Sequence, residues 1–169
     1  MINLHAVSVW EQISVILDTG IAALLGSIIG WERDRAGKSA GPRTMALVGA
    51  SAAAIVAVGS FLDSKSAAGD PTRAMHAIIT GIGFLGAGLI FTDKRAGIQG
   101  VTTAATIFAT ASVGCTVGLG FQVLGVGFTI IILVVLRSTH FLEVALHRKE
   151  EDEFYEEDEE ESKKKKKSH

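Results

Sequence analysis

Hydrophobic residues in this chain are gathered into five apolar stretches, each bounded by charged residues or by a glycine-rich break. A membrane-spanning helix needs about 20 mostly apolar residues, and about 17 still suffice. The five stretches fall near this length, at residues 13–31, 45–62, 74–91, 101–117 and 121–136. Lipid cannot hydrogen-bond exposed backbone groups, so such stretches are expected to be helical. The pattern therefore predicts an all-α membrane protein with five transmembrane helices.

The boundary between the last two stretches is the least marked, because residues 117–120 carry no charge. A single helix over residues 101–136 would be about 54 Å long, well beyond the roughly 30 Å of hydrocarbon in a bilayer. We therefore predict a tight glycine turn here, with Gln122 following it at the membrane interface.

Lysine and arginine in the connecting segments indicate the orientation, because they concentrate on the cytoplasmic side. One side receives Arg33, Arg35, Lys38, Arg43, Lys94, Arg95 and Arg137, whereas the other receives Lys65 and Arg73. The expected arrangement is a multi-pass membrane protein, with the N-terminus outside and the C-terminus inside.

The chain after the last apolar stretch changes character. Residues 137–147 retain some apolar positions and predict a short helical extension into the cytoplasm, which completes a transmembrane domain over residues 1–147. Residues 148–169 are acidic and then lysine-rich, and blocks of like charge cannot build a core. We predict a disordered tail, which either only solubilises the protein or docks on anionic lipid through its lysines.

Composition narrows the classes of function. The chain has 19 glycines and 2 prolines, which suits close packing of membrane helices. Its formal net charge of −2 gives no indication of a nucleic-acid partner, and we expect none. The histidines and the single cysteine show neither metal-site spacing nor a catalytic constellation. We therefore expect no enzyme activity, metal site or cofactor, and a lipid bilayer as the immediate surroundings.

The loop between the first two stretches is dense in charge of both signs. Its polar residues are Glu32, Arg33, Asp34, Arg35, Lys38, Arg43 and Thr44. One interpretation is a cytoplasmic loop whose charges pair with one another. The other is an anion site at the start of the second helix, where Lys38, Arg43 and free backbone N–H groups would hold a phosphate.

Asp18 is the most informative single residue, because a carboxylate at membrane depth is costly and usually faces a partner or a wet cavity. We expect Asp18 to face Arg73 and His76, which lie at a similar level in the third stretch. This intramembrane polar cluster could be a structural ion pair or a site that handles protons or cations. Asp18 could alternatively reach the outer interface.

Two runs of small residues predict a helix-packing seam. The third stretch contains Gly81, Gly83, Gly86 and Gly88, and the fourth carries Thr103, Thr106 and Thr110 on one face. Pairs of glycines four residues apart occur at Gly26/Gly30 and Gly114/Gly118. Small residues let membrane helices approach closely, although the threonine face could instead form a polar lining or a subunit interface.

Three segments taken together resemble the MgtC/SapB family of bacterial inner-membrane proteins. They are the loop GWERDRAGKSAGPRT at residues 30–44, GIGFLGAGLIF at 81–91 and GVTTAATIFATA at 100–111. The resemblance covers about residues 18–136, and Asp18 is similarly placed to an acidic residue in the first helix of the family. It implies a role in adaptation to low magnesium and, in pathogens, in virulence.

These observations leave three hypotheses for function. The first is a regulatory or interaction module in magnesium and envelope stress, which works through other membrane proteins or through self-association. The second is a small oligomeric transporter or channel for a cation or proton. The third is a scaffold whose charged tail carries the activity.

Overall fold

A computed structural model describes residues 8–65, 71–93 and 97–138. These residues form five helices and one small hairpin: α1 (Val9–Arg35), α2 (Pro42–Lys65), α3 (Pro71–Leu89), β1 (Phe91–Asp93), β2 (Gly97–Gln99), α4 (Val101–Gly118) and α5 (Gln122–Ser138). Five helices follow the five apolar stretches, as predicted. Most of the expected cytoplasmic extension and the whole charged tail lie outside the described residues.

The helix α1 extends four residues beyond the predicted stretch at each end. It begins at Val9 because Ser8 forms a capping box with Glu11, in which each side chain accepts a hydrogen bond from the other residue's backbone N–H. It ends in a Schellman motif, in which Lys38 N–H donates to the Arg33 carbonyl and Gly37 N–H to the Asp34 carbonyl. Gly37 has φ +68°, a conformation that suits glycine.

The turn between α4 and α5 repeats this motif. Phe121 N–H donates to the Thr116 carbonyl, Gly120 N–H donates to the Val117 carbonyl, and Gly120 has φ +86°. The predicted glycine turn is therefore confirmed, and residues 101–136 do not form one long helix.

The hairpin between α3 and α4 differs from the predicted helix, which extended to residue 91. The helix α3 ends at Leu89, and Phe91 begins a strand that pairs antiparallel with β2, so that Phe91 faces Gln99 and Thr92 faces Ile98. The following residues, Thr-Asp-Lys-Arg, are polar and are placed poorly in an apolar helix. The chain turns back at this point and enters α4 at Val101.

The helices α1, α2 and α4 pack closely because glycine replaces larger side chains where they meet. A Cβ at Gly26 of α1 would overlap the Met45 carbonyl, and a Cβ at Gly30 would lie 2.6 Å from the Pro42 Cα atom. On α4, Gly114 and Gly118 lie against the Gly49 and Ala53 carbonyl groups of α2. The glycine pairs at four-residue spacing thus lie where the helix backbones approach closely, which agrees with the packing role expected of them.

The helix α3 packs more loosely, mainly against α4 and to a lesser degree α2. Its buried residues Ile78 and Ile82 join a core cluster that includes Met45, Val56 and Ile107. By contacts the chain separates into Met1–Leu133, which holds this bundle, and Val134–His169. The described part of the second unit is the final turn of α5, where the Ser138 hydroxyl donates to the Val135 carbonyl.

The exterior of the bundle is apolar. Large hydrophobic side chains are exposed on every helix, among them Trp10 (80%), Phe84 (82%) and Val123 (86%). Within the described residues, α1, α2 as far as Leu62, and α4 are long and apolar enough to cross a membrane, whereas α5 is shorter at 17 residues. An outer surface of this kind is typical of a membrane protein, because exposing so much apolar surface to water is unfavourable.

Candidate functional site

Asp18 lies on the buried face of α1, with 8% of its surface exposed. Its Oδ1 atom accepts a hydrogen bond of 2.7 Å from Nε2 of Gln122, the first residue of α5. The turn at Gly120 places Gln122 at this position. The buried carboxylate therefore links the first helix to the last.

The expected partners of Asp18 lie elsewhere. Arg73 and His76 are exposed on α3, and no ion pair joins either of them to Asp18 within the described part of the chain. The reason is the packing order, because α1 contacts α2 and α4 closely, whereas α3 packs on α4 and α2. The sequence predicts Gln122 only as an interface residue, although it is the only amide side chain in the last apolar stretch.

The Asp18–Gln122 pair is compatible with two roles. An amide donates a hydrogen bond to the carboxylate but supplies no positive charge, so it satisfies one oxygen without neutralising the group. The pair is thus a structural link between helices, or a carboxylate whose charge remains available to a cation.

The other end of the buried face of α1 holds Arg33, which is 3% exposed. Its Nη1 atom lies 3.9 Å from Glu32 Oε2, which is an ion pair but is too long for a hydrogen bond. The Nε and Nη2 atoms of Arg33 and the Oε2 atom of Glu32 are buried without a hydrogen-bond partner. This cluster of incompletely bonded charges is about 22 Å along the helix from Asp18.

The remaining polar residues of the charged loop lie on its surface. Asp34, Arg35, Lys38, Arg43 and Thr44 are all exposed. The guanidinium of Arg35 lies 5.3 Å from the ring centroid of Trp31, an arrangement that permits a cation–π interaction. Arg33 therefore differs from the other basic residues of the loop in being buried, which its position in the sequence alone did not reveal.

The predicted threonine face exists and is buried. Thr103, Thr106 and Thr110 are at most 5% exposed. Two of the hydroxyls donate to their own helix, from Thr106 to the Thr102 carbonyl at 2.7 Å and from Thr110 to the Thr106 carbonyl at 2.8 Å. The Thr110 hydroxyl also lies 3.5 Å from the sulfur of Met45. These contacts favour packing over a polar lining at this position.

The predicted glycine surface of α3 is used only in part. Gly86 is buried, and a Cβ there would lie 3.5 Å from the Ala104 Cβ atom of α4. Gly81, Gly83 and Gly88 are exposed, and a Cβ at each would meet no atom within 4 Å. Within the residues that the structure describes, this part of the predicted seam is therefore not a contact between helices.

Close backbone packing separates the two polar ends of α1. The residues between Asp18 and Arg33 on the buried face are Ala22, Gly26, Ile29 and Gly30. Of these, Gly26 and Gly30 contact the α2 backbone directly.

Among the described residues, no group of three or more His, Cys, Asp or Glu side chains is arranged to hold a metal ion.

Comparison with known proteins identifies relatives over most of the membrane domain. A protein of Haemophilus influenzae without assigned function is 37% identical over 135 residues, which is 76% of this chain and 57% of that protein. "Putative magnesium transporter YhiD" of Escherichia coli is 37% identical over 134 residues, covering 76% of this chain and 62% of YhiD. "Protein MgtC" of Brucella abortus is 43% identical over 99 residues, covering 59% of this chain and 40% of MgtC.

The chain thus spans about three fifths of the length of the first two relatives. The comparison with solved structures found no significant match. The family model for the MgtC family matches residues 20–145, which include most of α1, the charged loop and all the later helices. The apolar exterior and this match together identify the chain as a membrane protein that belongs to the MgtC family.

Proposed function

We propose that this protein is a regulatory or interaction module of the bacterial inner membrane that acts in adaptation to low magnesium, envelope stress or virulence. It crosses the membrane five times, with the N-terminus outside and the charged loop at residues 32–44 on the cytoplasmic face. Other membrane proteins, or further copies of the same chain, are its expected partners.

The observation that supports this proposal most is the close packing between the two polar ends of α1. A conducting path needs space and polar groups along its length, whereas Gly26 and Gly30 bring the backbones of α1 and α2 into contact there. The hydroxyls of Thr106 and Thr110 are bonded within their own helix. One chain therefore resembles a rigid scaffold that presents a charged loop more than a pore.

A second candidate function is a small oligomeric transporter for a cation or proton. The name of the Escherichia coli relative includes magnesium transport, and the Asp18 carboxylate is buried beside a neutral partner rather than a cation. In this case the conducting path would lie between subunits, and Asp18 would bind the transported ion.

Ion flux into sealed vesicles distinguishes the two functions. We expect vesicles that contain the purified protein to take up no magnesium, potassium or protons above protein-free vesicles, and Asp18→Asn to change nothing. Uptake that the Asp18→Asn variant abolishes, at equal incorporation, would replace the regulatory proposal with the transporter.

Two substitutions at the same hydrogen bond keep the flux result interpretable. Asn at position 18 still accepts the bond from Gln122, so we expect the variant to fold and to be about as stable as the natural protein. Gln122→Ala leaves the buried carboxylate without its donor, which should cost about 1–3 kcal/mol. Unfolding in mixed detergent micelles measures both. A greater loss in Asp18→Asn than in Gln122→Ala would show that the charge itself stabilises the fold.

A further inference from the structure

We propose that Arg33 is the centre of a phosphate-binding site at the charged end of α1. The feature that indicates a ligand is a guanidinium that is 3% exposed and has two nitrogen atoms, Nε and Nη2, without a hydrogen-bond partner in the described chain. Buried charged groups normally have their hydrogen bonds completed, because leaving a donor unbonded is costly.

The two unbonded nitrogens are the pair that suits an oxyanion. The Nε–H and Nη2–H groups lie on the same edge of the planar guanidinium and point in parallel, so they can donate to two oxygens of one phosphate. The neighbouring Glu32 carboxylate approaches Nη1 instead, at 3.9 Å, and leaves this side of the fork free.

The surroundings of Arg33 favour an anion over a cation. The loop and helix ends at residues 32–43 carry four basic and two acidic side chains. Gly30 lies one turn before Arg33 on the same face of α1 and contacts Gly41 and Pro42 at the start of α2. Arg33 therefore lies on the face of α1 that meets the beginning of α2, a 24-residue helix, and the dipole of a helix favours negative charge at this end.

The depth of the site matches the phosphate layer of a membrane. The helix α1 is about 40 Å long and exceeds the roughly 30 Å hydrocarbon layer, so its last turn lies among the headgroups. Trp31 is exposed on the neighbouring turn, as is typical of residues at that interface. The phosphate could thus belong to a lipid headgroup or be free in solution, and the chemistry of recognition is the same.

Two binding measurements distinguish these sources. The full-length protein in maltoside micelles is titrated with inorganic phosphate, with chloride at equal ionic strength as control. In parallel, native mass spectrometry records retention of phosphatidylglycerol against a galactolipid with the same acyl chains and no phosphate. Binding of inorganic phosphate assigns a site for free phosphate, and retention of phosphatidylglycerol alone assigns a headgroup site. No binding of either overturns the proposal.

Variants at neighbouring positions test the role of Arg33. We expect Arg33→Gln to weaken binding by roughly tenfold or more, and Arg33→Lys to weaken it partly, because lysine lacks the fork. The matched control is Arg35→Gln, which removes an equal but exposed charge and should change binding less than about threefold. An equal loss in both Gln variants would assign the binding to general surface charge and contradict the proposal.

Glu32→Gln distinguishes an effect on the site from misfolding, because this variant is expected to bind phosphate more tightly. It removes a negative charge beside the proposed phosphate while keeping a side chain of the same size. Tighter binding in this variant cannot result from unfolding. Weaker binding would show that Glu32 belongs to the ligand-binding group, which would overturn an anion site of this design.

Discussion

Gly114 of α4 and Gly83 of α3 both lie within apolar helices of similar length, but their surroundings differ. A Cβ at Gly114 would overlap the Gly49 carbonyl oxygen of α2, whereas a Cβ at Gly83 would meet no atom within 4 Å. The first glycine permits two backbones to touch, and the second leaves a bare helix surface. Glycine content alone thus does not reveal which helices of a membrane protein pack together.

The contrast extends to the two regions around these glycines. The helices α1, α2 and α4 meet through backbone contacts, and both polar ends of α1 are buried. The helix α3 keeps Phe84, Arg73 and His76 exposed. We infer that the first region carries most of the stability of the bundle. Three pairs of substitutions measure the difference in the free energy of unfolding between the two regions.

Replacement of the two glycines by alanine should give the largest difference. We expect Gly114→Ala to cost about 3 kcal/mol or more, because the backbone of α2 cannot move aside without separating the helices. Gly83→Ala should instead stabilise the protein by about 0.5–1 kcal/mol through better helix propensity. Unfolding in mixed detergent micelles, followed by tryptophan fluorescence, measures both. Equal losses would refute the assignment of the tight region.

Two threonines with similar hydrogen bonds should differ less. Thr110 and Thr80 each donate to the carbonyl four residues earlier in their helix, but Thr110 is buried against Met45 and Thr80 is exposed. We expect Thr110→Val to cost about 1 kcal/mol and Thr80→Val to have an effect within about 0.5 kcal/mol. The same unfolding measurement applies, and a larger loss at Thr80 would place α3 in a buried contact.

The smallest effect is expected for the large side chain on α3. Phe84 is 82% exposed, so Phe84→Ala should change stability by no more than about 0.5 kcal/mol. The fully buried Met45 provides the positive control, because Met45→Ala should cost about 2–5 kcal/mol. If Phe84→Ala were costly in the purified protein, α3 would need a contact that this arrangement lacks.

The sequence predicted which segments are helical better than it predicted which helices pack against one another. Five apolar stretches identified five helices, because length and hydropathy are local properties, and a glycine marked the turns after α1 and α4. The hairpin at residues 91–99 was missed because Phe91 continues an apolar stretch, so hydropathy does not show where the helix ends.

The candidate sites depended on information that is not local. Asp18 was recognised from its cost at membrane depth, but its partner Gln122 is 104 residues away and was determined by helix order. Arg33 was one of several loop charges until the position of α2 showed that it is buried. Periodicity places residues on a face, whereas only packing determines which helix that face meets.

The hydrogen bond between Asp18 and Gln122 has a consequence for synthesis of the protein. Because chains are made from the N-terminus, the carboxylate enters the membrane long before the amide that will bond it exists. The α1–α2 pair can already close through its glycine contacts at that stage. The bond forms only after α5 has been made, so it marks the joining of α5 to α1, and a chain that ends before α5 leaves this acid without its amide donor.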